Sequence, residues 1–166
     1  MGIGQHIWPA GLLVMALGMT ACEPQRAEKL VEDVSTEADV KRLFGTPKTV
    51  TIAPDGSRTL DYPKQPEGYA NYVMVIGPDG KLKSLRQLLN PDNFRKVQPG
   101  MDREAVMQIL GPFARERRFD LKKETTLSWR FRDGQAAKMF VVTFDATGKV
   151  TGSATEDDQR SAEGGG

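Results

Sequence analysis

Few residues of this chain could do covalent or acid–base chemistry, and where they fall narrows the options. There is one cysteine, Cys22, and one histidine, His6. His6 lies in the first ten residues, so a mature form lacking that segment has no imidazole. Ser–His and Cys–His nucleophile pairs, and a His-ligated zinc site, are then excluded. The carboxylates are scattered, with no pair at a spacing that suits acid–base catalysis. Asp79-Gly80 and Asp133-Gly134 read as turns, and their loops offer too few oxygens for calcium. The expectation is a non-enzyme with no catalytic set, no metal and no cofactor.

The Cys22 thiol remains, and its surroundings give it a role. Residues 1–21 contain no Asp, Glu, Lys or Arg, and Ile7 to Ala21 is almost wholly apolar. That run is shorter than the ~20 residues a membrane-spanning helix needs. It ends on Thr20 and Ala21, and the chain turns polar at Glu23. This is the pattern of a secretory signal, so 1–21 is expected to be a signal peptide. The segment Met19-Thr20-Ala21-Cys22 resembles a bacterial lipobox, with Met19 where Leu, Val or Ile is usual. The resemblance implies that Cys22 is the first mature residue and carries the lipids. A lone thiol outside the cytosol is open to oxidation, and thioether formation removes it. Several acyl chains anchor stably where one does not. The same resemblance implies that Glu23, standing where inner-membrane lipoproteins carry Asp, favours the outer membrane, facing the periplasm, over inner-membrane anchoring.

The elements that position everything else come in two copies. The chain has 166 residues, room for one domain or two small ones. Lys plus Arg is 23 and Asp plus Glu is 22, a balance that calls for no nucleic acid. Within Asp39–Pro47 and Ala105–Pro112, Val40, Leu43-Phe44 and Gly45 match Val106, Ile109-Leu110 and Gly111 at an offset of 66. Thr59-Leu60-Asp61-Tyr62 matches Thr126-Leu127-Ser128-Trp129 at 67, and Gly80-Lys81-Leu82 matches Gly148-Lys149-Val150 at 68. Ordered matches with single-residue drift indicate a duplication, with copies at 27–90 and 91–155. Residues 156–166 read as a disordered acidic tail.

Each copy opens with helices and continues in strands. Ala27, Leu30, Val31 and Val34 share one helical face. Thr36 and Asp102 are expected N-caps, Gly45 and Gly111 expected helix ends, and Asn90-Pro91 the start of a further short helix. Leu60/Tyr62, Tyr72/Met74/Ile76, Leu127/Trp129/Phe131 and Phe140/Val142/Phe144 alternate as half-buried strands. Trp129 falls in register with the core. The expected fold class is α+β: two tandem units, each two short helices on an antiparallel sheet of about four strands.

Alternation also names a surface. If Phe140, Val142 and Phe144 face the helices, Met139 and Val141 face away, as do Val73 and Val75 in the first copy. Arg130 and Arg132 share that outer face. Apolar residues beside arginine suit a protein partner. The other reading is that the outer faces are themselves buried. Arg115, Arg117, Arg118, Lys122 and Lys123 form a basic stretch, read as a solvated hairpin or as a contact for anionic headgroups.

Gly100-Met101-Asp102-Arg103-Glu104-Ala105-Val106 with Ile109-Leu110-Gly111-Pro112, Ser128-Trp129-Arg130-Phe131, and Phe144-Asp145-Ala146-Thr147-Gly148-Lys149-Val150 occur in that order. Together they resemble the SmpA/OmlA (BamE-like) family of outer-membrane lipoproteins. The first copy is degenerate: it keeps Gly45-Thr46-Pro47 and has Ile76-Gly77-Pro78-Asp79-Gly80 in place of the Phe-Asp motif. Tandem copies are similar to the β-lactamase inhibitor protein fold. The resemblance implies a lipid-anchored, non-catalytic envelope protein acting through protein contacts, with the β-barrel assembly machinery as an implied partner. The alternative it implies is a tethered or secreted inhibitor of an envelope enzyme.

Overall fold

A computed structural model describes residues 23–159, so the expected signal peptide and Cys22 lie outside the described residues. The order is α1 (Glu23–Ala27), α2 (Glu37–Phe44), β1 (Thr49–Ile52), β2 (Arg58–Pro63), β3 (Asn71–Ile76), β4 (Leu82–Gln87), α3 (Pro91–Phe94), α4 (Arg103–Leu110), β5 (Arg115–Phe119), β6 (Glu124–Asp133), β7 (Ala136–Phe144) and β8 (Val150–Asp157). The strands form two separate four-stranded antiparallel sheets, β1-β2-β3-β4 and β5-β6-β7-β8. This is the expected α+β class, in two tandem units.

The duplication extends to single hydrogen bonds. Thr36 caps α2 and closes a reciprocal box with Asp39, while Asp102 caps α4. Asp39 is held below the usual carboxylate range, chiefly by the Thr36 backbone N–H. Gly45 and Gly111 end these helices at φ of 81° and 73°, where a side chain would be strained. In each unit the carbonyl of that glycine accepts from an aromatic side chain of the second strand. Tyr62 Oη donates to Gly45 O at 3.2 Å, and Trp129 Nε1 donates to Gly111 O at 2.9 Å. Each N-cap also bridges the residue after a turn glycine, Thr36 to Lys81 and Asp102 to Lys149.

Each unit has its own core. Val40, Phe44, Leu60, Tyr62, Tyr72, Met74, Ile76 and Leu82 fill the first. Val106, Leu110, Leu127, Trp129, Phe131, Phe140, Val142, Phe144 and Val150 fill the second, with Leu89, Phe94 and Val97. The alternation read from sequence therefore points the expected residues inward, Trp129 included.

Two expectations are corrected near the ends. The first helix stops at Ala27, so Val31 and Val34 are exposed and only Ala27 and Leu30 reach the core. The chain breaks there because it pairs with the sheet edge: Asp33, at φ 61°, donates its N–H to Leu82 O, and Leu82 N–H donates to Ser35 O. At the other end, β8 runs to Asp157 and Asp158 is buried, although both lie in the segment expected as a tail. The β7 ladder, continued by Asp158 N–H donating to Ala137 O, holds them.

Candidate binding surface

The outer face of the second sheet is built from cross-strand rows. Register places Arg115, Ser128, Val141 and Ala154 in one row, and Arg117, Thr126, Thr143 and Gly152 in the next. Arg130, Met139 and Glu156 form a third. Large side chains thus flank a floor of small ones, and the result is a trough of about 350 Å³. Arg115 and Arg117 line its β5 side and Glu156 its β8 side, where Asp158 is buried beneath, and Phe119 also lines it. The walls carry opposite charge, four strands' width apart, above a floor that includes Val141 and Met139. Such a groove has the chemistry to hold a polypeptide segment bearing charges of both signs.

Arg130 does not serve this trough as an exposed anchor. It is only 3% exposed, and Asp158 beside it 4%. Their Nη1 and Oδ2 atoms lie 3.4 Å apart, a buried ion pair. Removing both charges from water is offset in part by their mutual attraction, so each depends on the other. A loop of the first unit holds the same stretch of strand. Beyond Ser128 the β6 edge has no β5 partner. Gln65 fills that place: its Nε2 donates to Arg130 O at 2.9 Å and its Oε1 accepts from Arg130 N–H at 3.2 Å.

The six residues expected to share one surface are divided by the packing of the units. Met139 is nearly buried and Val141 half-buried, both on the trough. Arg132 is exposed, with its guanidinium 4.4 Å from the Tyr69 ring of the first unit. Val73 lines a different cleft, of about 310 Å³, where Met107, Gln108, Gly111 and Pro112 meet the outer side of the first sheet. Val75 sits on that sheet between Thr59 and Ser84. The fully buried Asn71 anchors the junction, its Nδ2 donating to Leu110 O at 2.8 Å and Pro112 O at 2.9 Å. Asp61 also lines this cleft, and burial pushes its carboxyl above the usual range. The outer face of the first sheet is thus partly covered by the second unit, and Arg130 is withdrawn from the surface.

The basic stretch becomes structure. Arg115–Phe119 is the edge strand β5, and Leu121 to Lys123 lie at the exposed hairpin tip. Glu116 on the helix side meets Arg103 at 3.0 Å and Arg118 at 3.3 Å, and Arg103 holds its carboxyl low. Sequence reasoning missed Asp158, Glu156 and Gln65. The first two were assigned to a tail, and Gln65 carries no local signal for a partner 65 residues away. Among the described residues no group of three or more His, Cys, Asp or Glu could hold a metal, and no helix is long and apolar enough to cross a membrane.

Neither a protein-family model nor a curated protein matches the chain. Solved structures that resemble it include one described as a putative osmotically inducible lipoprotein OsmE, at 26% identity and TM-score 0.37, over 41% of this chain and 78% of that one. A DUF4309 family protein (YjgB) from Bacillus subtilis matches at 18% identity and TM-score 0.35, over 81% and 86% of the two chains. A putative β-lactamase inhibitor protein from Streptococcus mutans matches at 13% identity and TM-score 0.35, over 74% and 83%. At these TM-scores none of the three is a guide to what this chain binds.

Proposed function

We propose that this chain is a non-catalytic protein-interaction module of the bacterial envelope, tethered to the outer membrane through lipid on Cys22. Its working surface is the trough of the second sheet. One observation carries the reading: Arg115 and Arg117 on one wall and Glu156 on the other, over a floor of Thr126, Ser128, Val141 and Met139. A partner segment laid in it gains charge pairing on both sides and covers the apolar floor. The partner class is an envelope protein, and the SmpA/OmlA resemblance makes a component of β-barrel assembly the first to seek.

The test is capture of partners by the native, membrane-bound protein, with the intact mass of its N-terminus. The reading expects a triacylated Cys22 and a partner retained by the wild type. That partner is lost from Val141→Asp and from Arg115→Glu combined with Arg117→Glu, while both variants stay folded. A captured enzyme whose turnover falls on one-to-one binding would replace assembly with inhibition. A product cleaved elsewhere and free in solution would sink the anchoring claim.

A further inference from the structure

The two units treat their equivalent edges differently. The β4 edge is covered by the Asp33–Ser35 segment, with Glu32 Oε1 accepting from Leu85 N–H. The β5 edge is Arg-Glu-Arg-Arg-Phe, and such charge keeps other strands away. β1 is Thr-Val-Thr-Ile, uncharged and β-branched throughout, and it pairs only with β2. Its apolar side chains overhang the sheet: Val50 is 46% exposed and Ile52 70%.

The hydrogen-bond phase of β1 is fixed. Ala53 N–H donates to Ser57 O, and the ladder continues in that register through Thr51↔Thr59 and Thr49↔Asp61. Thr49, Thr51 and Ala53 therefore turn their backbone groups toward β2. Val50 and Ile52 turn theirs to the open edge.

We infer that β1 pairs antiparallel with β1 of a second copy of this chain, centred on Thr51, joining two first sheets into one of eight strands. In that register each Val50 meets the partner's Ile52 in a hydrogen-bonded pair, which gives four backbone hydrogen bonds in all. The exposed valine and isoleucine cover each other across the strands. Thr51 faces its own copy in the non-hydrogen-bonded position. Lys48 falls opposite the partner's Pro54, beside its Asp55, whose carboxylate is held low by the Ser57 hydroxyl. The edge is thus neutral along its length and complementary at its ends. The same pairing of β5 would set Arg117 against Arg117. With so short a strand the dimer is expected to be weak and concentration-dependent.

The test is cysteine cross-linking of the full chain in detergent, with the wild type reporting any disulfide through Cys22. Opposed non-hydrogen-bonded positions lie ~4.5 Å apart between Cα atoms, within disulfide reach. Thr51→Cys should cross-link to a dimer at least about tenfold faster than Ile52→Cys or Arg117→Cys. Thr51→Lys, which opposes two like charges at an exposed site, should weaken self-association measured by sedimentation roughly tenfold. Equal cross-linking at all three positions would overturn the inference. So would a wild type that stays monomeric at every concentration, or a Thr51→Cys adduct with a different protein.

Discussion

The first unit and the second share a skeleton but not a surface. Both run a capped helix to a glycine whose carbonyl accepts from an aromatic of the second strand, Tyr62 in one and Trp129 in the other. The differences lie outside that frame. β6 and β7 span ten and nine residues, where β2 and β3 span six each. The added length, with β8, makes the trough, while the first sheet gives part of its outer face to the junction. One copy therefore supplies docking and an open neutral edge, and the other a charged groove. The hydrogen bonds that seat the helix on the sheet are what the copies retain; edges and outer faces are where they diverge.

Substitutions can break this comparison, beginning with the core. Trp129→Ala empties the centre of the second unit and leaves Gly111 O without its donor. The expected loss is about 3–5 kcal/mol in urea unfolding. Tyr62→Phe removes only the matching hydroxyl and should cost about 1 kcal/mol. If the two cost the same, the bond to the cap glycine matters more than the ring. Asp158→Ala strands the buried Arg130 and should cost about 3 kcal/mol, an effect with no counterpart in the first unit. Arg130→Met combined with Asp158→Leu should restore most of it, as both charges are then gone. Asn71→Ala leaves two carbonyls unmet at the junction, and about 1–3 kcal/mol is expected. Calorimetry should then resolve two transitions where the wild type has one.

The smallest effect depends on pH. Asp61 and Ser128 occupy matching positions, and burial raises the Asp61 carboxyl. A raised folded-state value means that ionised Asp61 opposes folding, and the penalty disappears as pH falls below the ordinary Asp value, about 3.9. Asp61→Ser should therefore stabilise slightly at pH 7 and give no advantage in acid. Glu116, held low by Arg103, runs the other way: its contribution is present at pH 7 and is lost as pH falls through its depressed value. Unfolding midpoints of Asp61→Ser and Glu116→Gln across pH 3–7 should diverge in opposite senses.

Much of the frame was legible in the sequence because it rests on short-range chemistry. Thr36, Asp39, Gly45, Asp102 and Gly111 act within one helical turn, and strand alternation needs only neighbours. β5 was not legible as a strand, since Arg115–Arg118 has no apolar alternation and owes its pairing to β6. Which way each strand residue faces was legible, but the candidate surface they would form was not. Nothing near Arg130 announces Asp158 or Gln65, and nothing near Val73 announces the end of α4. Those placements depend on how one unit sits against the other.

The Asn71 side chain has a consequence for synthesis. A chain made from its N-terminus presents all four strands of the first sheet before Leu110 and Pro112 have been added. Until then the amide of Asn71 has no carbonyls to meet and is left to water, because the residues that cover it belong to the second unit. The outer face of the first sheet is thus closed only once the second helix of the next unit has arrived. The duplicated halves mature in order, with the later one completing the earlier.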